Sequence, residues 1–114
     1  MIISCNALVV PARLSHPVHL KPVEIDLPAL QRVAAGEVGL ITGQTWHVYL
    51  DNDGRRTSPN MRAEVLIREA GVDLEDTVHG TAIFLGRRNG GEDTDAPHHL
   101  IRLAEELFDV PLAA

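Results

Sequence analysis

The sequence predicts one α+β domain over residues 1–114, a mostly antiparallel or mixed sheet of about five strands with three helices packed on one face. Three observations carry this reading. Strand-like and helix-like segments fall in the order β, β, α, β, β, α, β, α, and the regular βαβ alternation of a doubly wound sheet is missing. Residues Thr45 to Leu50 alternate strictly, with Trp46, Val48 and Leu50 on one side and Thr45, His47 and Tyr49 on the other. Each helix-like segment opens on a capping residue followed within two positions by proline: Asp26-Leu27-Pro28, Ser58-Pro59 and Asp95-Ala96-Pro97.

The elements follow in order. Ile2-Ile3 and Ala7 to Val10 read as a first strand, closed by Pro11, which has no N–H for a ladder. Val18 to Ile25 is a second extended segment, confined to an edge or broken by Pro22. Leu27, Leu30 and Ala34 share one face of a first helix that Gly36 ends. Val38 to Ile41 and Thr45 to Leu50 form a hairpin through Thr42-Gly43-Gln44. A second helix follows Ser58-Pro59, with Ala63, Leu66, Ile67 and Ala70 inward, Glu64 and Arg68 spaced to pair, and Gly71 at its end. Val78 to Leu85 is a strand in which Gly80 marks a bulge or a close backbone approach. Arg87 to Asp93 is a loop. The last helix turns Leu100, Leu103, Ala104, Leu107 and Phe108 inward.

Composition narrows the function classes. Hydrophobic residues make up 45% and aromatics only 4%, so the core is aliphatic and the chain is globular. A net charge of −6, with basic residues clustered only as Arg55-Arg56 and Arg87-Arg88, argues against a nucleic-acid binder. Cys5 is alone, which excludes an intramolecular disulfide and points to a reducing, cytoplasmic setting; it is expected to be a small buried hydrophobe. No signal peptide and no membrane span are expected.

The chemical motifs are tested by spacing. Asp51-Asn52-Asp53-Gly54 suggests a calcium loop, but with Gly54 sixth the first and twelfth positions are Tyr49 and Asn60, neither of them a carboxylate. An Asp-Gly turn is the better account. His98-His99 follows Glu92, Asp93 and Asp95, yet adjacent helical histidines diverge by about a quarter-turn and seldom share an ion. His16 and His19 flank Pro17, and no HExxH, GxSxG, CxxC or P-loop is present. No cofactor is expected. Asn60, at a helix start, either holds backbone groups of the preceding Asp-Gly loop or presents its amide to a ligand.

Three stretches together resemble the domain-of-unknown-function family 3846. They are Ala7-Leu8-Val9-Val10-Pro11-Ala12, the segment Pro28 to Val38, and Val48 to Gly54 followed by Pro59-Asn60-Met61-Arg62-Ala63; Gly80 in the next strand also agrees. Where that family continues Ala-Thr, this chain has Ala63-Glu64, so no hydroxyl stands there. The resemblance implies a fold and a bacterial, actinobacterial, phage or plasmid setting, and it implies no chemistry.

Two functional expectations remain. The first is a non-catalytic accessory protein working through contacts with a protein partner, with homodimerisation open through an uncapped edge near Pro22. The alternative is a small-molecule or metal-binding domain, enzymatic in one version, whose site gathers His47, Tyr49, Asp51 and Asn60 around one pocket. It requires those four side chains to converge.

Overall fold

The computed structural model describes residues 4–26, 38–51, 58–89 and 91–112, with backbone alone for Val38 and Asp51. The described elements are β1 (Ser4–Val10), β2 (His19–Glu24), β3 (Val38–Thr42), β4 (Trp46–Asp51), α1 (Met61–Glu69), β5 (His79–Arg87), β6 (Asp93–Thr94) and α2 (His98–Phe108). They form one α+β domain. The sheet has the order β2-β1-β5-β4-β3, with the short β6 paired to the end of β5, and every pairing is antiparallel. Two helices are described rather than three; the helix expected after Asp26-Leu27-Pro28, and the Asp51–Gly54 turn beyond its first residue, lie outside the described residues.

Both described helices pack on one face of the sheet. Ala63, Leu66 and Ile67 of α1 and Leu100, Ile101 and Ala104 of α2 meet Leu8, Val10, Trp46, Val48 and Phe84 in the larger core. The inward face of α1 is the one that its spacing predicts, and Glu64 pairs with Arg68 at 3.1 Å. Gly71 ends α1 at φ +102°, where its N–H and that of Val72 reach back to the carbonyls of Arg68 and Ile67. On α2 Leu100 and Ala104 are buried and Leu103 and Phe108 pack against the core as expected, while Ile101 joins them and Leu107 is 36% exposed.

The helix starts depart from their expected form. Asn60, not Ser58, caps α1, because Pro59 is drawn into a bridge with His79. Pro97 precedes α2 with no side-chain cap, because the Asp95 carboxylate instead accepts the backbone N–H of Asn6 at 2.7 Å. That bond and the Ala96 N–H donated to Asn6 O seat β6 beside β1 where β1 leaves β5. The run Arg87 to Asp93, read as a loop, therefore ends in a strand.

The expectation of a single buried sheet face also fails. Cys5, Ala7, Val9, Val23, Ile83 and Leu85 form a second core on the side away from α1 and α2. The continuous apolar run Ala82 to Leu85 is the signature of a central strand buried on both faces, and β5 is central.

Candidate functional site

Asn60 does not meet His47 and Tyr49, the other two expected site residues whose side chains are described. Asn60 is fully buried on the helix-bearing side, and all of its polar atoms are occupied there. Its amide nitrogen donates to Val10 O at 2.7 Å and Gly80 O at 2.8 Å, while its Oδ1 accepts the Ala63 N–H at 3.0 Å. The Gly80 carbonyl is available because Gly80, at φ +73°, sits in the irregularity where β5 runs four residues against two of β4. Asn60 thus ties β1, β5 and α1 into one joint, and both hydrogens of its amide are used there. Beside it, Arg62 donates to the carbonyls of Pro11, Arg13 and His16, pinning the segment after β1.

His47 and Tyr49 do lie together, on the other face of the sheet. Their partner is a residue the sequence reading passed over. Tyr49 Oη donates to Asp93 Oδ2 at 2.7 Å, and His47 Nδ1 stands 3.4 Å from Asp93 Oδ1. The His47 and Asp93 side chains are each 9% exposed. At that separation the contact is electrostatic rather than a formed hydrogen bond: both ring nitrogens of His47 and Asp93 Oδ1 are buried without a hydrogen-bond partner. Burial, and then the hydrogen bond and negative charge of Asp93, push the Tyr49 phenol well above its ordinary range. Cys5 donates weakly to Asp93 O at 3.8 Å, and burial followed by the carboxylates of Asp95 and Asp93 pushes its thiol up. A thiol so held is a poor nucleophile. The Asp51 side chain lies outside the described residues.

The remaining histidines supply no further cluster. His98 and His99 are exposed at the start of α2, with His99 Nε2 3.2 Å from Thr45 Oγ1. Among the described residues no three His, Cys, Asp or Glu side chains are placed to hold a metal ion.

A second region was not foreseen at all. After α1, residues 70–79 run back beside β3 and leave an open groove along it. One part, about 550 Å³, lies between Gly39, Leu40, Ile41 and Leu50 on the sheet and Val72 to His79 opposite. The other, about 510 Å³, continues between Thr42 to Gln44 and Ala70 to Val72, with Arg87 at its end. Ile41, Val72 and Leu74 are only partly buried, and Leu40 is 52% exposed. The carboxylates of Asp73, Glu75 and Asp76 stand along the first part.

The groove borders an unpaired strand edge. The Gly43 N–H donates to Trp46 O at 2.8 Å, and Thr45 O, on the opposite side of β4, accepts from the Arg87 N–H. Alternation along an antiparallel ladder then turns the backbone groups of Gly39 and Ile41 toward β4, and those of Leu40 and Thr42 outward. Among the described residues no strand pairs with β3 on that side.

Two comparisons with known proteins are informative, and a third gives nothing. The model of a family described as a domain of unknown function (DUF3846) matches residues 7–109. The crystal structure of small RNA methyltransferase HEN1 contains a similar region, with a TM-score of 0.62 at 14% identity, covering 91% of this chain and 16% of that one. At that identity the likeness is one of fold alone, and this chain spans about a sixth of the larger protein's length. No curated protein matches the chain.

Proposed function

We propose that this chain, which belongs to the DUF3846 family, is a non-catalytic accessory module that binds a protein partner by strand addition to β3. The observation that carries the proposal is the outward N–H and C=O groups of Leu40 and Thr42 beside a half-apolar groove. Peptide-binding domains combine those two features, main-chain hydrogen bonds for affinity and an adjoining groove for side chains. The polar residues support the same reading. Asn60 and Arg62 bond backbone carbonyls of the frame, burial pushes the Cys5 thiol up, and Asn60 lies on the opposite face of the sheet from His47 and Tyr49. The lone cysteine suits a cytoplasmic setting, and the family resemblance suits a bacterial, phage or plasmid one.

The test is capture from a host lysate with wild-type protein and with Leu40→Pro. Proline at that position deletes an outward N–H and leaves the ladder to β4 intact. A complex retained by wild type and lost by the variant supports the reading. A complex indifferent to the substitution refutes it.

A second reading has one observation in its favour. The unpartnered ring nitrogens of His47 and Asp93 Oδ1 form a polar spot inside an apolar face, the environment in which a small molecule gains most from hydrogen bonds. A compound that survives purification with wild type and is lost from His47→Ala is the result this reading requires.

A further inference from the structure

The groove beside β3 is chemically lopsided, and that asymmetry says what kind of segment it fits. Toward Gly39 its outer wall carries Asp73, Glu75 and Asp76, all exposed, and among the described residues no Lys or Arg lines that part. Toward Gln44 the described lining is neutral apart from Arg87, which donates a long 3.4 Å bond to Gln44 O. Between the two ends Ile41, Val72 and Leu74 stay partly exposed. From Gly39 to Gln44 an extended chain spans roughly 17 Å, the length of five or six strand residues.

We infer that β3 takes an extended segment of another protein that carries basic residues at the end facing Asp73, Glu75 and Asp76 and alternate apolar side chains over Ile41, Val72 and Leu74. The inference rests on the strand-addition reading above and adds the chemistry of the partner. Three carboxylates within four residues of chain attract a cation, and the apolar floor demands that every second side chain be aliphatic, since alternate residues of an added strand point to the same face. A second copy of this chain fits less well. It brings its own net charge of −6, and its β3 would offer the groove only Gly39 and Ile41, leaving most of the floor uncovered.

The experiment titrates full-length protein with three labelled peptides of about eight residues that share a Val-Thr-Val-Thr core. One ends in two lysines, one in two glutamates and one in two glutamines. The lysine-ended peptide is expected to bind at least tenfold tighter than the glutamate-ended one. That advantage should shrink severalfold between about 50 and about 500 mM salt, as the Debye length falls from roughly 14 to roughly 4 Å, and disappear in the variant Asp73→Asn, Glu75→Gln, Asp76→Asn. All three peptides binding equally, and all weakened in Leu40→Pro, would overturn the charge inference while leaving strand addition standing. No binding by any peptide, or binding unaffected by Leu40→Pro, would overturn strand addition itself. Sedimentation showing a dimer that the peptide dissociates would make the occupant a second copy and overturn the inference about a foreign partner.

Discussion

The two edges that the described strands leave unpaired, β2 and β3, are built to opposite ends. At β2 the Asn6 N–H and C=O are taken up by Asp95 and Ala96 on the far side of β1, so alternation turns Cys5, Ala7 and Val9 toward β2. Their partners on β2 are Val23, Lys21 and His19, and the residue between them, Pro22, therefore faces outward. Its missing donor falls in the middle of the open edge, beside the exposed Lys21, which is how proteins blunt an edge against unwanted pairing. At β3 the outward positions are Leu40 and Thr42, both able to donate and accept, with a groove alongside. Among the described residues the edge near Pro22 is thus the protected one, and the proposed binding surface lies on the other.

That comparison assumes a frame that carries both edges without depending on either, and Asn60 tests the assumption. Asn60→Ala removes a helix cap and takes the amide donors away from the buried carbonyls of Val10 and Gly80. The expected loss is on the order of 2–4 kcal/mol in urea unfolding, with peptide affinity unchanged once the protein is folded. The next effect is smaller and falls on binding alone: Leu40→Pro should weaken peptide binding about tenfold, roughly 1.4 kcal/mol, with the β3–β4 amide shifts retained. Pro22→Val reverses the device on the other edge. It should give concentration-dependent association in sedimentation, and cost about 0.4–1 kcal/mol of stability because the unfolded chain regains freedom.

The smallest effect belongs to neither edge. Tyr49 is held protonated by burial and by its bond to Asp93, so its folded-state value lies above the ordinary one of about 10. A group with a raised folded value contributes stability that is complete below the unfolded value and is lost as pH rises above it. Urea midpoints should therefore fall above about pH 10, and Tyr49→Phe should flatten that decline. A midpoint that falls equally in the variant would assign the alkaline loss elsewhere.

What the sequence made legible was whatever local chemistry decides. Pro22 marked an edge strand, the 3.6-residue spacing of Ala63, Leu66 and Ile67 marked the inward face of α1, and Gly71 marked its end. The strand alternation placed Trp46 and Val48 on one side and His47 and Tyr49 on the other. What depends on long-range assembly was not legible. Asp93 meets Tyr49 across 44 residues through a two-residue strand with no propensity signal of its own. The groove exists because residues 70–79 return beside β3, and neither segment carries a motif that announces the other. Asn60 stands out in the sequence by its place at a helix start, but its partners Val10 and Gly80 come from two strands that only the sheet order brings together.

The central claim is that Leu40 and Thr42 present the working edge, and amide hydrogen exchange with and without the lysine-ended peptide reads it residue by residue. The account predicts that saturating peptide slows exchange at Leu40 and Thr42 by at least tenfold and leaves Leu20 on β2 unchanged. Protection appearing on β2 or around His47, with Leu40 and Thr42 still exchanging at the rate of the free protein, would contradict it.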